Sequence, residues 1–131
     1  MDRVFLDANV LFSATYQPRA GLHRLWKLSD VTLLTSSYAL VEARRNLEQS
    51  DQRERPARLA ESVEIVPEAL GSSLPRGVNL AEKDVPILLA AIGARATHLL
   101  TGDVRDFGRY FGKRLGSVLV LTPGEYLRRR E

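Results

Sequence analysis

Short, nearly uninterrupted apolar runs alternate along this chain with stretches of helical spacing, and that alternation restricts the fold more than any other feature. Four runs stand out: Val4-Phe5-Leu6, Val31-Thr32-Leu33-Leu34, His98-Leu99-Leu100-Thr101 and Val118-Leu119-Val120-Leu121. A fifth, Val63-Glu64-Ile65-Val66, is stopped by Pro67. Strands wet on one face alternate apolar with polar residues. These runs mostly do not, so they suit strands covered on both faces, as in parallel sheets. Between them, Gly21 to Leu28 places Leu22, Leu25, Trp26 and Leu28 on one stripe. Ser37 to Leu47 carries Leu40, Ala43 and Leu47 at helical spacing, with Ser36 or Ser37 as N-cap. Pro56 to Val63 reads as a weaker helix. Val85 to Ala96 is long and apolar and accepts Pro86 only in its first turn. Pro123 starts a last short helix, and Pro67 to Asn79 reads as loop with one turn at most. Strands alternating with helices predict an α/β domain around a mainly parallel sheet of four or five strands.

The length of 131 residues predicts a single domain spanning 1–131. The absence of cysteine excludes disulfides, thiolate catalysis and cysteine-ligated zinc. The longest apolar runs, such as Ile87 to Ile92, fall far short of the roughly 20 residues that a membrane span needs. The opening Met1-Asp2-Arg3-Val4-Phe5 leaves no room for a signal peptide before the first strand, so a soluble cytoplasmic domain without membrane contact is expected. The net charge is only +3, but Arg105 to Glu131 holds seven basic and three acidic residues. Such an end can steer a polyanion. It can equally be a solvated helix face with a frayed tail at Arg128 to Arg130.

The positions of the acids carry the chemistry. In open parallel sheets, ligands bind outside the carboxyl ends of the strands. The first run delivers Asp7 at that end, and the run His98 to Thr101 delivers Asp103. If those two strands are neighbours, both carboxylates share one sheet edge. Glu42 falls in the second turn of the Ser37 helix, and Asp84 stands just before Pro86 at the start of another. Two bare carboxylates ~4 Å apart repel by about 4 kcal/mol at an effective dielectric near 20, so four together require protons or a cation. An all-oxygen cluster without His or Cys selects a hard divalent ion, Mg²⁺ or Mn²⁺, and such ions serve phosphodiester hydrolysis. Each acid also has an ordinary structural use. Asp7 can bond the following turn, and Glu42 can pair with Arg45 or Asn46. Asp84 can be an N-cap, and Asp103 can cap a helix running through Phe107 and Phe111.

Taken together, Val4-Phe5-Leu6-Asp7-Ala8-Asn9-Val10-Leu11-Phe12-Ser13-Ala14, Glu42, Asp84 before Ile87-Leu88-Leu89-Ala90-Ala91, and Leu99-Leu100-Thr101-Gly102-Asp103-Val104-Arg105-Asp106-Phe107 resemble the PIN-domain family. The resemblance covers nearly the whole chain. Its specific parts are the opening Asp-x-Asn and the Thr-Gly-Asp-x-x-Asp-Phe. It implies a three-layer α/β/α sandwich and a Mg²⁺- or Mn²⁺-dependent ribonuclease site. Asp7, Glu42, Asp84 and Asp103 match the four acidic positions, with Asp7 and Asp103 expected to bind the metal directly and Asp84 and Glu42 to complete its surroundings; Asp106 matches a further acidic position on the metal that many members use less directly. Cleavage in this family leaves a 3′-hydroxyl and a 5′-phosphate. Many small stand-alone proteins of this kind are VapC-type toxins, which implies an RNA substrate and a cognate antitoxin; a homodimer is common among them. Asn9, Ser13 and Thr101 are expected to orient the carboxylates. Lys83, Arg105 and Arg109 are expected to hold RNA phosphates, and Tyr38 or Phe107 to stack a base or to fill the core. His23 and His98 read as structural. Two other functions compete. A haloacid-dehalogenase-like phosphatase needs a second Asp where this chain has Asn9. A PIN-like domain that binds RNA or protein without cutting keeps the same acids.

Overall fold

The computed structural model describes residues 1–16, 21–46, 61–69 and 71–131. The apolar runs form strands β1 (Asp2–Leu6), β2 (Val31–Ser36), β3 (Glu64–Val66), β4 (His98–Leu100) and β6 (Val118–Leu121). Among the described residues, helices α1 (Ala8–Tyr16), α2 (Ser37–Asn46), α3 (Val85–Gly93), α4 (Val104–Phe107) and α5 (Pro123–Arg129) accompany them, with 3₁₀ turns at Gly21–Lys27 and Gly108–Tyr110. With the short strand β5 (Arg114–Leu115) at one edge, the strand order is β3-β2-β1-β4-β6-β5, and every pair is parallel except β5 with β6. Consecutive strand residues point to opposite faces, yet Val4, Phe5 and Leu6 are all fully buried, as are Leu99 and Leu100. Both sheet faces are therefore covered, giving the expected α/β/α sandwich.

Among the described residues the sheet has six strands, which corrects the expected four or five. β5 (Arg114–Leu115) is two residues long and reverses into β6 through Gly116-Ser117, with Gly116 at φ +64°. A segment that short has no periodicity to read, and its pairing depends on the left-handed turn that glycine supplies. α1 was not separately expected as a helix: Val10, Leu11 and Ala14 are buried along it, and its run of apolar residues lacks a polar stripe. α3 ends at Gly93, short of Ala96. The helix expected to continue from Phe107 to Phe111 stops at Phe107 and tightens into 3₁₀. Leu47 and most of the Pro56–Val63 helix lie outside the described residues, and residues 61–63 form a turn.

α3 closes with the hydrogen bonds Ala96 N to Ala91 O (2.9 Å) and Arg95 N to Ile92 O (3.0 Å), the paired arrangement that normally places glycine in the left-handed position. Here Arg95 occupies it at φ +58°. Its side chain is exposed, so Arg95→Gly relieves backbone strain at little cost in packing. The expected gain is about 1 kcal/mol, read as a higher urea midpoint at unchanged slope.

The chain leaves β1 toward β2 and β3 on one side, and β4 and β6 lie on the other. The carboxyl ends of β1 and β4 thus flank the point where the winding reverses, the place where open α/β sheets present ligand crevices. The basic C-terminal tail is ordered by ion pairs rather than left free: Arg128 and Arg129 pair with Glu125, and Arg130 with Asp2 and Asp30.

Candidate active site

β1 and β4 pair with Leu6 opposite Leu100, so the next residues, Asp7 and Thr101, emerge side by side. The Asp7 amide donates to Leu100 O (3.0 Å) and holds that register one step past the strands. The Asp7 carboxylate is buried and fully engaged. Its Oδ1 accepts from Ala8 N (2.7 Å), and its Oδ2 accepts from Thr101 Oγ1 (2.8 Å) and Asn9 Nδ2 (3.0 Å). Asn9 also donates to Thr101 Oγ1 (3.1 Å) and accepts from Gly102 N (2.6 Å). A methyl group at Gly102 would sit 3.3 Å from that same Asn9 oxygen, so glycine permits the close approach. Thr101 Oγ1 in turn accepts from Asp103 N (3.1 Å). One buried hydroxyl therefore joins Asp7, Asn9 and the backbone that carries Asp103.

Asp103 faces two ways. Its Oδ1 caps α4 by accepting from Asp106 N (3.1 Å), which is its ordinary structural use. Its carboxylate also belongs to a cluster with Asp84 and Asp106 in which one ligand oxygen from each lies within 4.8 Å of the others. Asp84, at the entrance to α3, makes no side-chain cap bond, contrary to its ordinary use. Its backbone, at φ −97° and ψ −14°, is near-helical, whereas a capping side chain reaches back from an extended residue. Its Oδ2 is buried and without a hydrogen-bond partner among the described residues. Glu42, on the second turn of α2, donates nothing to the cluster of three but lines the same cavity, while its Oε1 accepts from Arg45 Nη1 (3.2 Å). Asp7, Glu42, Asp84 and Asp103 thus border one cavity of about 330 Å³, together with Asn9, Ser13, Tyr38 and Lys83. Asp106 flanks it through the carboxylate cluster.

The electrostatics show how crowded the site is. Burial pushes the Asp7 carboxyl above its usual range, opposed by the Thr101 hydrogen bond. Burial, then the contact with Asp106, pushes Asp84 up to about 7. Asp106 is held low by Lys83, whose ammonium lies 3.2 Å from Asp106 Oδ2 and 3.9 Å from Asp103 Oδ2. Lys83 is itself raised by Asp106. A lysine is thus the cation drawn to these carboxylates. The orphaned Asp84 oxygen and the all-oxygen donor set fit a hard divalent ion.

Of the other expected residues, Ser13 lines the cavity and Arg105 and Arg109 lie beyond Asp106 in a second depression. Phe107 is fully buried in the core, so its expected base-stacking role is excluded by packing. Tyr38 remains at the cavity, but its hydroxyl donates to Lys83 O (2.7 Å), strapping α2 to the turn that presents Asp84. Nothing in the sequence spacing signalled that strap. His98 packs edge to face on Tyr126 (4.9 Å between ring centres), and His23 contacts Ala14 O (2.6 Å), both away from the cavity.

Thr101→Val keeps the shape of this buried side chain but deletes its hydroxyl. Asp7 Oδ2 loses a donor, and Asn9 Nδ2 and Asp103 N lose an acceptor. The expected cost is about 1–3 kcal/mol of stability, read from a urea midpoint. A 10–100-fold loss of divalent-ion affinity, read by calorimetric titration, is also expected.

A doubly covered parallel sheet with converging carboxylates at its winding reversal defines a class of acidic-site α/β domains. Within that class, this chain belongs to the PIN-domain family, whose sequence model matches residues 3–105. No curated protein sequence matches it. Among solved structures, VapBC2 of Rickettsia felis, determined bound to a promoter DNA fragment, is similar at 16% identity and a TM-score of 0.65, covering 92% of this chain and 98% of that one. FitAcB of Neisseria gonorrhoeae is similar at 20% identity and a TM-score of 0.58, covering 92% and 98%. Mycobacterium tuberculosis VapC20, described as a sarcin–ricin loop cleaving toxin, is similar at 13% identity and a TM-score of 0.53, covering 78% and 91%. These likenesses establish the fold. Among the described residues, no helix is long and apolar enough to cross a membrane.

Proposed function

We propose that residues 1–131 form one nuclease domain, a metal-dependent endoribonuclease that acts in the cytoplasm as the toxin of a toxin–antitoxin pair. The observation that carries this reading is the convergence of four carboxylates on one cavity with a buried Asp84 oxygen that has no partner among the described residues. Asp84, Asp103 and Asp106 would hold Mg²⁺ or Mn²⁺, with Asp7 and Glu42 completing its surroundings. When bound, such an ion would supply positive charge at the reacting phosphate and lower the pKa of water. The chain does the rest. Thr101 and Asn9 fix the Asp7 carboxylate, Asp103 is held by its cap on α4, and Lys83, beside Asp106, would be placed to meet a phosphate. The antitoxin partner is supported by the VapBC and FitAB assemblies among the similar structures. A homodimer remains part of the proposal by family likeness alone. The phosphatase reading lacks its second aspartate and is set aside.

The test is incubation of the purified protein with a panel of structured RNAs. Cleavage in Mn²⁺ to 5′-phosphate products, abolished by EDTA, is expected. RNA that is bound in EDTA and returned intact in Mn²⁺ would instead identify a binding domain.

A further inference from the structure

Beyond Asp106, on the side away from the cavity described above, lies a second depression bordered by Asn79, Arg105, Asp106 and Arg109. Arg109 Nη2 donates to Asn79 O (3.2 Å) and to the Tyr110 hydroxyl (2.9 Å), so the guanidinium is held in place before any ligand arrives. The Tyr110 hydroxyl is fixed in its turn, accepting from Asn79 N (2.9 Å) and donating to Asn79 O (3.1 Å). Arg105, on the first turn of α4, is exposed and has no ion-pair partner among the described residues. Asp106, the one acid at the edge among the described residues, has its charge met by Lys83 at 3.2 Å. Two forked cations, one of them pre-set, beside a carboxylate whose charge is already balanced suit a tetrahedral oxyanion.

We infer that Arg105 and Arg109 bind a backbone phosphate of the RNA substrate next to the one being cleaved, so that Asp106 stands between a cleavage subsite and a phosphate-holding subsite. The inference rests on the ribonuclease reading and deepens it. An RNA strand is favoured over a lone anion because the depression shares Asp106 with the carboxylate cluster, so adjacent phosphates of one strand can occupy both sides at once. Pre-setting Arg109 also lowers the side-chain entropy that binding must overcome.

The experiment measures binding of a short fluorescent single-stranded RNA in EDTA, across a salt series, to the full chain and four variants: Arg105→Ala with Arg109→Ala, each alone, and Arg114→Ala. Arg114 is an exposed arginine on β5 and controls for net charge. The double variant is expected to lower affinity roughly tenfold and to reduce the slope of log K against log salt by about 0.7, the value for one phosphate contact on a single strand. Mn²⁺ affinity, measured by calorimetry, should be unchanged. A double variant no weaker than Arg114→Ala, or one whose Mn²⁺ affinity falls in step, overturns the inference. The two readings fail separately. A protein that never cleaves but shows the arginine-dependent slope loses only the hydrolase; one that cleaves with an unaltered slope loses only the second subsite.

Discussion

Asp84→Asn should abolish RNA cleavage, by at least about a hundredfold, while making the metal-free protein more stable above neutral pH. Loss of activity is expected from removing one of the three clustered carboxylates proposed to hold the ion, since even outer partners of a metal cost 10–100-fold. The stability effect has its own cause. Asp84 is buried, one of its oxygens has no hydrogen-bond partner among the described residues, and its pKa is pushed up to about 7 from an ordinary 3.8. The folded state therefore holds this proton more tightly than the unfolded chain does. Between those two values folding takes up protons, so the contribution of this group falls as pH rises and levels off above 7. Asparagine has no proton to lose. Denaturation in EDTA at pH 5 and pH 8 should show the variant gaining on the parent by roughly 1–3 kcal/mol as pH rises. Parallel pH profiles would mean that Asp84 is solvated or paired and is not the strained ligand described here.

Phe107→Ala should cost about 3–5 kcal/mol, the usual loss for a fully buried phenylalanine. Its position makes the effect functional as well. Phe107 is the last residue of α4, whose first turn carries Asp106 and whose cap is Asp103, so emptying the space beneath frees both carboxylates. Phe107→Leu separates packing from base stacking. It should recover most of the stability and all of the RNA affinity in a thermal melt and an anisotropy titration. If the leucine variant folds fully but loses RNA binding, the ring contacts nucleic acid and the core assignment fails.

The sheet was legible because its strands are covered on both faces, which turns each into an unbroken apolar word such as Val4-Phe5-Leu6. The edge placement of Asp7 and Asp103 followed from the same logic, needing only that β1 and β4 be neighbours, as they are. β5 was not legible, because two residues carry no period and a single left-handed glycine creates the hairpin. Asp84 illustrates a deeper limit. An aspartate ahead of an apolar helix reads as an N-cap, and only the backbone angle at that residue, set by the preceding turn and by Tyr38 holding Lys83 O, aims the carboxyl elsewhere. Arg109 shows the same dependence on tertiary context: its anchors, Asn79 O and the Tyr110 hydroxyl, lie partly in a loop whose path no local pattern specifies.

Calorimetric titration with Mn²⁺ reaches the core of the matter without needing the RNA target. The native protein should bind Mn²⁺ with an affinity that strengthens as pH rises through 7, because Asp84 must give up its proton. Asp103→Asn and Asp84→Asn should each weaken binding at least about tenfold while leaving the circular dichroism spectrum unchanged. A native protein that takes up no Mn²⁺, or variants that bind it as tightly as the parent, would show that these carboxylates meet without making a metal site.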